Sequence, residues 1–228
     1  MNEYAVNRAY WNKGYFGPNV ESLAFRFYGR ILRSDFDLPQ RGSRLLDFGC
    51  GMGAATNFFQ SVGFDVKGVD ISDVDINKAK DYFPAIRDCV SVVSPSPGDN
   101  PIYGWPSDID VVYACQSLYY WTRSDFYLAI QKLYESMKTG GIFFATFKTP
   151  GQWDYYKAST ETADPWLRRV RLKNSRLDVD VDQFFVKDEE DLVDRLSMFR
   201  PIHTGYYTMQ LRSDESDGHH LIFCGVKD

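Results

Sequence analysis

The chain has 228 residues, 44% of them hydrophobic and 25% charged, with Lys+Arg 26 against Asp+Glu 31 and a net charge of −5. That is the composition of a folded domain large enough to close its own core without metal or disulfide staples. The acidic balance argues against a general nucleic-acid binder, and no apolar run is long enough to span a bilayer.

The first residues, Met1-Asn2-Glu3-Tyr4, lack the basic end and apolar core of a secretory signal. The four cysteines, Cys50, Cys89, Cys115 and Cys224, are scattered without a C-x-x-C pair, so the expectation is a reduced cytoplasm and no metal. Residues 1–40 read as an N-terminal helical cap. Tyr10, Trp11 and Tyr15 sit in a Gly/Pro-punctuated loop, and Val20 to Leu32 carries Leu23, Phe27 and Ile31 at helical spacing.

Residues 41–148 then alternate short apolar runs with amphipathic stretches. Strands are expected at Arg44–Phe48, Val66–Asp70, Cys89–Val93, Ile109–Ala114 and Gly141–Phe147. Helices are expected at Ala54–Val62, Asp73–Phe83 and Ser124–Met137. Such alternation requires crossover connections and a parallel sheet covered by helices on both faces. Residues 149–186 show no clean strand pattern and read as an insertion, with Asp164-Pro165 as a helix start. In residues 187–228, a helix from Asp188 to Phe199 precedes two strands, Thr204–Leu211 and His219–Val226. The turn Asp214–Gly218 makes these an antiparallel hairpin.

The most informative stretch is Leu46-Asp47-Phe48-Gly49-Cys50-Gly51-Met52-Gly53-Ala54. It follows a strand and opens a helix, and its glycines allow tight turning and close approach to a ligand. Asp70 ends the next strand, about 20 residues on, where a ribose-binding carboxylate sits in nucleotide-binding sheets. Gly49, Gly51 and Ala54 also satisfy the degenerate dinucleotide pattern. Asp47 speaks against a dinucleotide, because a pyrophosphate there would meet a like charge. It favours a ligand bearing an ammonium and a sulfonium, such as S-adenosylmethionine.

These segments resemble the motifs of class I S-adenosylmethionine-dependent methyltransferases. Leu46 to Gly53 is similar to the first motif and Val69-Asp70-Ile71-Ser72 to the second. Asp110 to Ala114 with Ser117-Leu118 is similar to the fourth strand and its sequel, and Met137 to Gly141 to the loop before the fifth. The resemblance implies an α/β, Rossmann-like, seven-stranded mostly parallel sheet with an antiparallel last strand. It implies S-adenosylmethionine as cofactor and S-adenosylhomocysteine as product. By position, Gly49, Gly51 and Gly53 would pack on the methionine part, Asp47 would lie near the amino group, and Asp70 would accept from the ribose hydroxyls. Ile71 would touch the adenine and Gln116 would face the sulfonium. The third motif matches least well, with Ser94 or its neighbours near the adenine.

The acceptor has weaker marks. The Asn/Asp-Pro-Pro-Tyr signature of nucleic-acid amino methyltransferases is replaced by Ala114-Cys115-Gln116-Ser117. A small-molecule acceptor, methylated on oxygen or nitrogen, is therefore expected, with no nucleic-acid or membrane partner. Four groups of residues could build its site. Tyr119, Tyr120 and Trp121 follow the fourth strand and either line the site or pack beneath it. Tyr10 and Trp11 either close over the cofactor or staple the core. His219 and His220 open the last strand, and alternation allows at most one of them to act as general base. Arg168 and Arg169, with Arg171, Lys173 and Arg176, are either a solvated helix face or the recognition site of an anionic acceptor such as a phosphorylated sugar. A protein methyltransferase and a non-catalytic cofactor-binding protein remain as alternatives, and an NAD-dependent dehydrogenase is disfavoured by Asp47.

Overall fold

A computed structural model describes residues 17–18, 21–151, 156–173, 178–208, 210 and 218–228. Helix α1 spans Ser22–Phe27 and continues as a π-helical turn over Tyr28–Leu32. Then come β1 (Arg44–Phe48), α2 (Ala54–Ser61), β2 (Asp65–Asp70), α3 (Asp73–Tyr82), β3 (Val90–Val92), β4 (Ile109–Ala114), α4 (Arg123–Ser136) and β5 (Met137–Lys148). The insertion holds β6 (Ser159–Glu161), β7 (Arg168–Lys173) and β8 (Asp178–Gln183). The chain ends with α5 (Glu189–Arg195), β9 (Arg200–Tyr207) and β10 (His220–Val226).

Seven strands form one sheet in the order β3-β2-β1-β4-β5-β10-β9. The pairs from β3 to β5 are parallel, while β10 runs antiparallel to both β5 and β9. This is the expected Rossmann-like sheet with its reversed last strand. Strand alternation sends Ile142 and Phe144 to one face and Phe143, Ala145 and Phe147 to the other. The first set packs with Phe27 and Phe59 from α1 and α2. The second packs with Phe126, Ile130 and Phe199 around α4 and α5. On the first face Tyr113 stacks on Phe144 with centroids 5.1 Å apart, and Phe27 lies 4.3 Å from the same ring.

Local chemistry sets the helix starts. Ser72 Oγ accepts from Asp75 N in α3, Thr122 Oγ1 from Asp125 N in α4, and Asp188 from Asp191 N in α5. Pro84 follows α3 and cannot continue it.

The insertion differs from expectation. Asp164-Pro165 opens a turn rather than a helix, with Trp166 N donating to Asp164 Oδ1 at 2.9 Å. The arginine run lies on β7, the middle strand of a three-stranded antiparallel sheet ordered β6-β7-β8. The pattern is period two: Val170 pairs in register with Val181 and both are buried, while Arg169 and Arg171 on either side are exposed. Arg168 and Arg169 therefore stand on a strand, pointing to opposite faces, and not on one face of a helix.

Candidate active site

The cofactor side is built by the β1–α2 turn and the end of β2. Gly49 N and Cys50 N both donate to Val69 O, which ties the turn to the neighbouring strand. Gly49, Gly51 and Gly53 all have positive φ, at +79°, +50° and +76°. Their surroundings separate them. A Cβ at Gly49 would lie 2.3 Å from Ser117 Cβ, and one at Gly53 would press on Ile86 and Ala79. At Gly51 an added Cβ would meet nothing within 4 Å among the described residues. Gly49 and Gly53 are therefore required by packing, while Gly51 borders open space that a ligand can use.

Two carboxylates flank that space. Asp70 Oδ2 accepts from Gly51 N at 2.8 Å and its Oδ1 accepts from Ser72 N at 2.8 Å. Desolvation pushes its carboxyl up to about 6, against the backbone donors of Ser72 and Gly51, which lower it. Asp47 is buried in β1 and accepts from Thr56 Oγ1 at 2.6 Å. Burial drives it up to about 7, with the Thr56 bond opposing and the charge of Asp70 adding. Two partly protonated acids beside an open glycine form a site that a cation stabilises. A bound ammonium would return both carboxyls to their ionised form.

The loop after β3 is closed by its own bonds. Ser94 N donates to Asn100 Oδ1, Ser94 Oγ donates to Asp99 Oδ2 at 2.9 Å, and Asn100 Nδ2 returns to Ser94 O and Ser96 O. Asp99 thus sits beside Ser94. Trp121 packs on Phe48 and donates its Nε1 to Pro95 O, bracing this loop. Ile71 follows Asp70 at the edge, half-buried.

A second set of polar side chains lies across the carboxyl ends of β4 and β5. Gln116 has φ +55°, a conformation uncommon for a side-chain-bearing residue. Two bonds hold it there: its N donates to Thr146 Oγ1 and its Nε2 to Tyr207 Oη, each at 2.8 Å. The register places Tyr207, His220 and Lys148 side by side on β9, β10 and β5. The rings of Tyr207 and His220 stack 4.9 Å apart at 3°. His220 Nδ1 donates to Gly218 O at 2.7 Å, and burial depresses its imidazole to about 4. Lys148 Nζ donates to Gln183 Oε1 at 2.9 Å and lies 5.0 Å from the Tyr119 ring centroid, with Tyr120 packed on that ring. Desolvation brings the Lys148 amine down to about 7.

Of the residues singled out from sequence, Asp47, Gly49, Gly51, Gly53 and Asp70 come together at one site, and Gln116, Tyr119, Tyr120 and His220 at its neighbour. His219 faces away, with Nδ1 2.9 Å from Thr149 Oγ1 and its ring stacked on Tyr206. Arg168 is held by Ser159 and lies over the Tyr156 ring, while Arg169 forms a two-pronged pair with Asp182. Tyr10 and Trp11 fall outside the described residues. Sequence reading missed Lys148, Gln183, Tyr207 and Glu21. Lys148 had a signal: a lone amine ending the apolar run Ile142 to Phe147. Glu21, just before α1, raises both Tyr207 and Cys115 by its charge, and its own carboxyl is raised by burial.

Among the described residues no cluster of His, Cys, Asp and Glu could hold a metal, and no helix is long and apolar enough to cross a membrane. The sheet order and the site at its carboxyl edge define a Rossmann-like methyltransferase domain. A family described as "Methyltransferase domain" matches residues 20–213, and the chain belongs to that family. No curated protein matches it. Among solved structures it is similar to a putative S-adenosylmethionine-dependent methyltransferase from Listeria monocytogenes, with TM-score 0.65 and 19% identity over 91% of this chain and 100% of that one. It is also similar to the N-methyltransferase NodS from Bradyrhizobium japonicum WM9 in complex with S-adenosylhomocysteine, with TM-score 0.59 and 13% identity over 90% and 84%. A third is the Burkholderia thailandensis 1,6-didemethyltoxoflavin-N1-methyltransferase, with TM-score 0.56 and 16% identity over 90% and 78%. The cofactor is S-adenosylmethionine, which the open glycine and the two carboxylates fit.

Proposed function

We propose that this protein transfers a methyl group from S-adenosylmethionine to an oxygen or nitrogen of a small-molecule acceptor. The observation that carries the reading is the adjacency of two chemically different sites at one sheet edge. One is a carboxylate-flanked glycine turn for a cationic cofactor. The other is the ring of amide, amine and phenol groups around Gln116, Lys148, Gln183 and Tyr207. In this reading Asp70 accepts from the ribose hydroxyls, Asp47 balances the amino group, and the turn at Gly49, Gly51 and Gly53 lies against the methionine part. Ile71, Ser94 and Asp99 border the adenine.

S-adenosylmethionine supplies a methyl group on a sulfonium, and the sulfur keeps the bonding pair when an acceptor lone pair takes that methyl. The protein's task is to align the acceptor, exclude water and manage a proton. Tyr119 and Tyr120 form the floor of the acceptor side, and Gln116 fixes the end of β4 beside it. The insertion is part of the same edge. Gln183 ends β8, Phe184 N donates to Tyr119 O and Val186 N to Lys148 O, each at 2.9 Å. Such an enclosed edge suits a metabolite better than a protein chain. The 1,6-didemethyltoxoflavin-N1-methyltransferase, which holds the small molecule it is named for, supports that preference. An anionic acceptor would draw on Lys148 rather than on Arg168 and Arg169, whose forks are spent on Ser159 and Asp182. Four free thiols agree with a reducing, cytoplasmic setting.

Calorimetry with S-adenosylmethionine, S-adenosylhomocysteine and NAD tests the cofactor assignment; binding of NAD alone would end it. Labelled S-adenosylmethionine incubated separately with a filtered metabolite extract and a desalted protein extract tests the acceptor class. Label entering protein alone would replace the small-molecule reading with protein methylation.

A further inference from the structure

The geometry points to Lys148 as the catalytic base. Its Nζ takes the proton of an acceptor whose methylated oxygen or nitrogen carries hydrogen. The inference rests on the acceptor lying at the carboxyl edge, as proposed above.

Placement comes first. Lys148 is the last residue of β5, two positions beyond Thr146, which fixes Gln116 at the end of β4. At a rise of about 3.3 Å per residue this puts its backbone roughly 7 Å outside that anchor, over the edge where ligands of open parallel sheets bind. The side chain is buried, with a residue exposure of 9%. Its amine is oriented by Gln183 Oε1 on one side and the Tyr119 ring on another. Gln183 Nε2 has no hydrogen-bond partner among the described residues although the side chain is almost fully buried. An acceptor oxygen next to the reacting atom would satisfy that donor, which costs about 1–3 kcal/mol to leave unpaired.

The competing groups at this edge are poorer bases. The phenols of Tyr119 and Tyr207 are both raised by burial and keep their protons at neutral pH. His220 uses its Nδ1–H on Gly218 O, and its imidazole is so far depressed that it holds a proton weakly. His219 turns to Thr149 and Tyr206. Cys115 is raised to about 12 by burial. The Glu21 carboxylate sits toward Tyr207 and Cys115. A general base works best when its basicity is near the operating pH, and burial has brought Lys148 there.

The proton balance is simple. The acceptor's O–H or N–H proton moves to neutral Nζ, giving an ammonium. The lone pair freed on the acceptor forms the new bond to the methyl carbon. The ammonium then returns its proton to water once product leaves. Acceptors that need no deprotonation, such as carboxylates, thioethers and tertiary amines, fall outside this class.

Two measurements test it. In protein carrying ¹³C-lysine, the Cε signal missing from Lys148→Arg is followed against pH in the full chain. The midpoint is expected near neutral with S-adenosylhomocysteine and lower with S-adenosylmethionine, whose sulfonium repels an ammonium. A midpoint in the ordinary lysine range, or one indifferent to which of the two is bound, overturns the inference. In the labelled metabolite-extract assay, with S-adenosylmethionine saturating at every pH, wild-type rate should fall as pH drops through neutral. Lys148→Met should lose about 100-fold in rate and that acidic limb together, with S-adenosylmethionine affinity retained and a melting temperature at neutral pH no lower than wild type. A Lys148→Met enzyme that keeps the limb overturns the base role while leaving methyl transfer standing. Wild-type protein that labels nothing in the extract overturns both.

Discussion

The two halves of the site are made in opposite ways. The cofactor half comes from two short segments, Asp47 to Gly53 and Asp70 to Ser72, joined by neighbouring parallel strands. The acceptor half draws Gln116, Lys148, Gln183, Tyr207 and His220 from five places, some nearly a hundred residues apart. Their electrostatics are also opposed. Burial raises the acids of the first half toward protonation and lowers the bases of the second toward neutrality. Burial thus moves both halves toward neutral pH from opposite sides, the first favouring a cation and the second a proton donor.

The sharpest way to break this division is to remove charge from one half and read the other. Asp70→Asn keeps the shape but loses one bond to the Gly51 and Ser72 N–H groups and the charge assistance of the other, and with them the proposed ribose contact. S-adenosylmethionine affinity should weaken about 100-fold by calorimetry, at about 1.5–3 kcal/mol per charged hydrogen bond. His220→Gln, on the other half, should change that affinity less than about 3-fold, because β1, β4 and β5 stand between β10 and β2 in the sheet.

A smaller contrast lies within the glycine turn. Gly49→Ala drives a Cβ into Ser117 at 2.3 Å and should cost about 1–3 kcal/mol of stability, seen as a lower melting temperature. Gly51→Ala meets open space and suffers only the left-handed backbone penalty of about 1–2 kcal/mol. Its main effect should be on ligand, with S-adenosylmethionine affinity down at least about 10-fold. Equal affinity in Gly51→Ala would mean that the space beside it is not the cofactor's.

The pH response should distinguish the halves in sign. Asp47 is raised from 3.8 to about 7 in the folded chain. Its contribution is fully present below pH 3.8 and lost as pH rises through 7. Lys148 is lowered from 10.5 to about 7, so its contribution is complete above 10.5 and lost as pH falls to 7. Cofactor-free Asp47→Asn should thus gain stability over wild type at pH 8 by about 1–3 kcal/mol and match it at pH 4. Lys148→Met should gain over wild type at pH 7 and match it above 10.5. S-adenosylmethionine affinity should rise between pH 5.5 and 7.5, as the two acids ionise to receive its ammonium.

This contrast also explains what could be read in the residues alone. The strands from Arg44 to Phe147 and the reversed hairpin were legible because the buried strands are local apolar runs and α3, α4 and α5 carry side-chain caps. Asp47 and Asp70 were legible because their chemistry is set by position within a few residues of a turn. Lys148 was not, because only the register of β5 against β10 and the reach of Gln183 from the insertion give it a role. The insertion was misread although Val170-Arg171-Leu172-Lys173 and Asp178-Val179-Asp180-Val181-Asp182 both alternate, because the basic run after Asp164-Pro165 drew a helical reading of so short a pattern.

The insertion gives the smallest expected effect, and it separates scaffold from site. Arg169 meets Asp182 through two bonds, Nε to Oδ1 at 2.8 Å and Nη2 to Oδ2 at 2.7 Å, across the β7–β8 pair. Both side chains are substantially exposed, at 53% and 32%. Solvent screens such a pair, and exposed pairs contribute at most about 1 kcal/mol. Arg169→Ala should lower the melting temperature by roughly 2–4 °C at most, and 0.5 M salt should erase most of the difference between variant and wild type. Val170→Ala, one residue away and buried against Val181, should cost more and be insensitive to salt. If Arg169→Ala proved the more damaging, β7 would be held by its charges rather than by the burial of Val170. The insertion would then brace Gln183 electrostatically, and the acceptor half would weaken with ionic strength while the cofactor half did not.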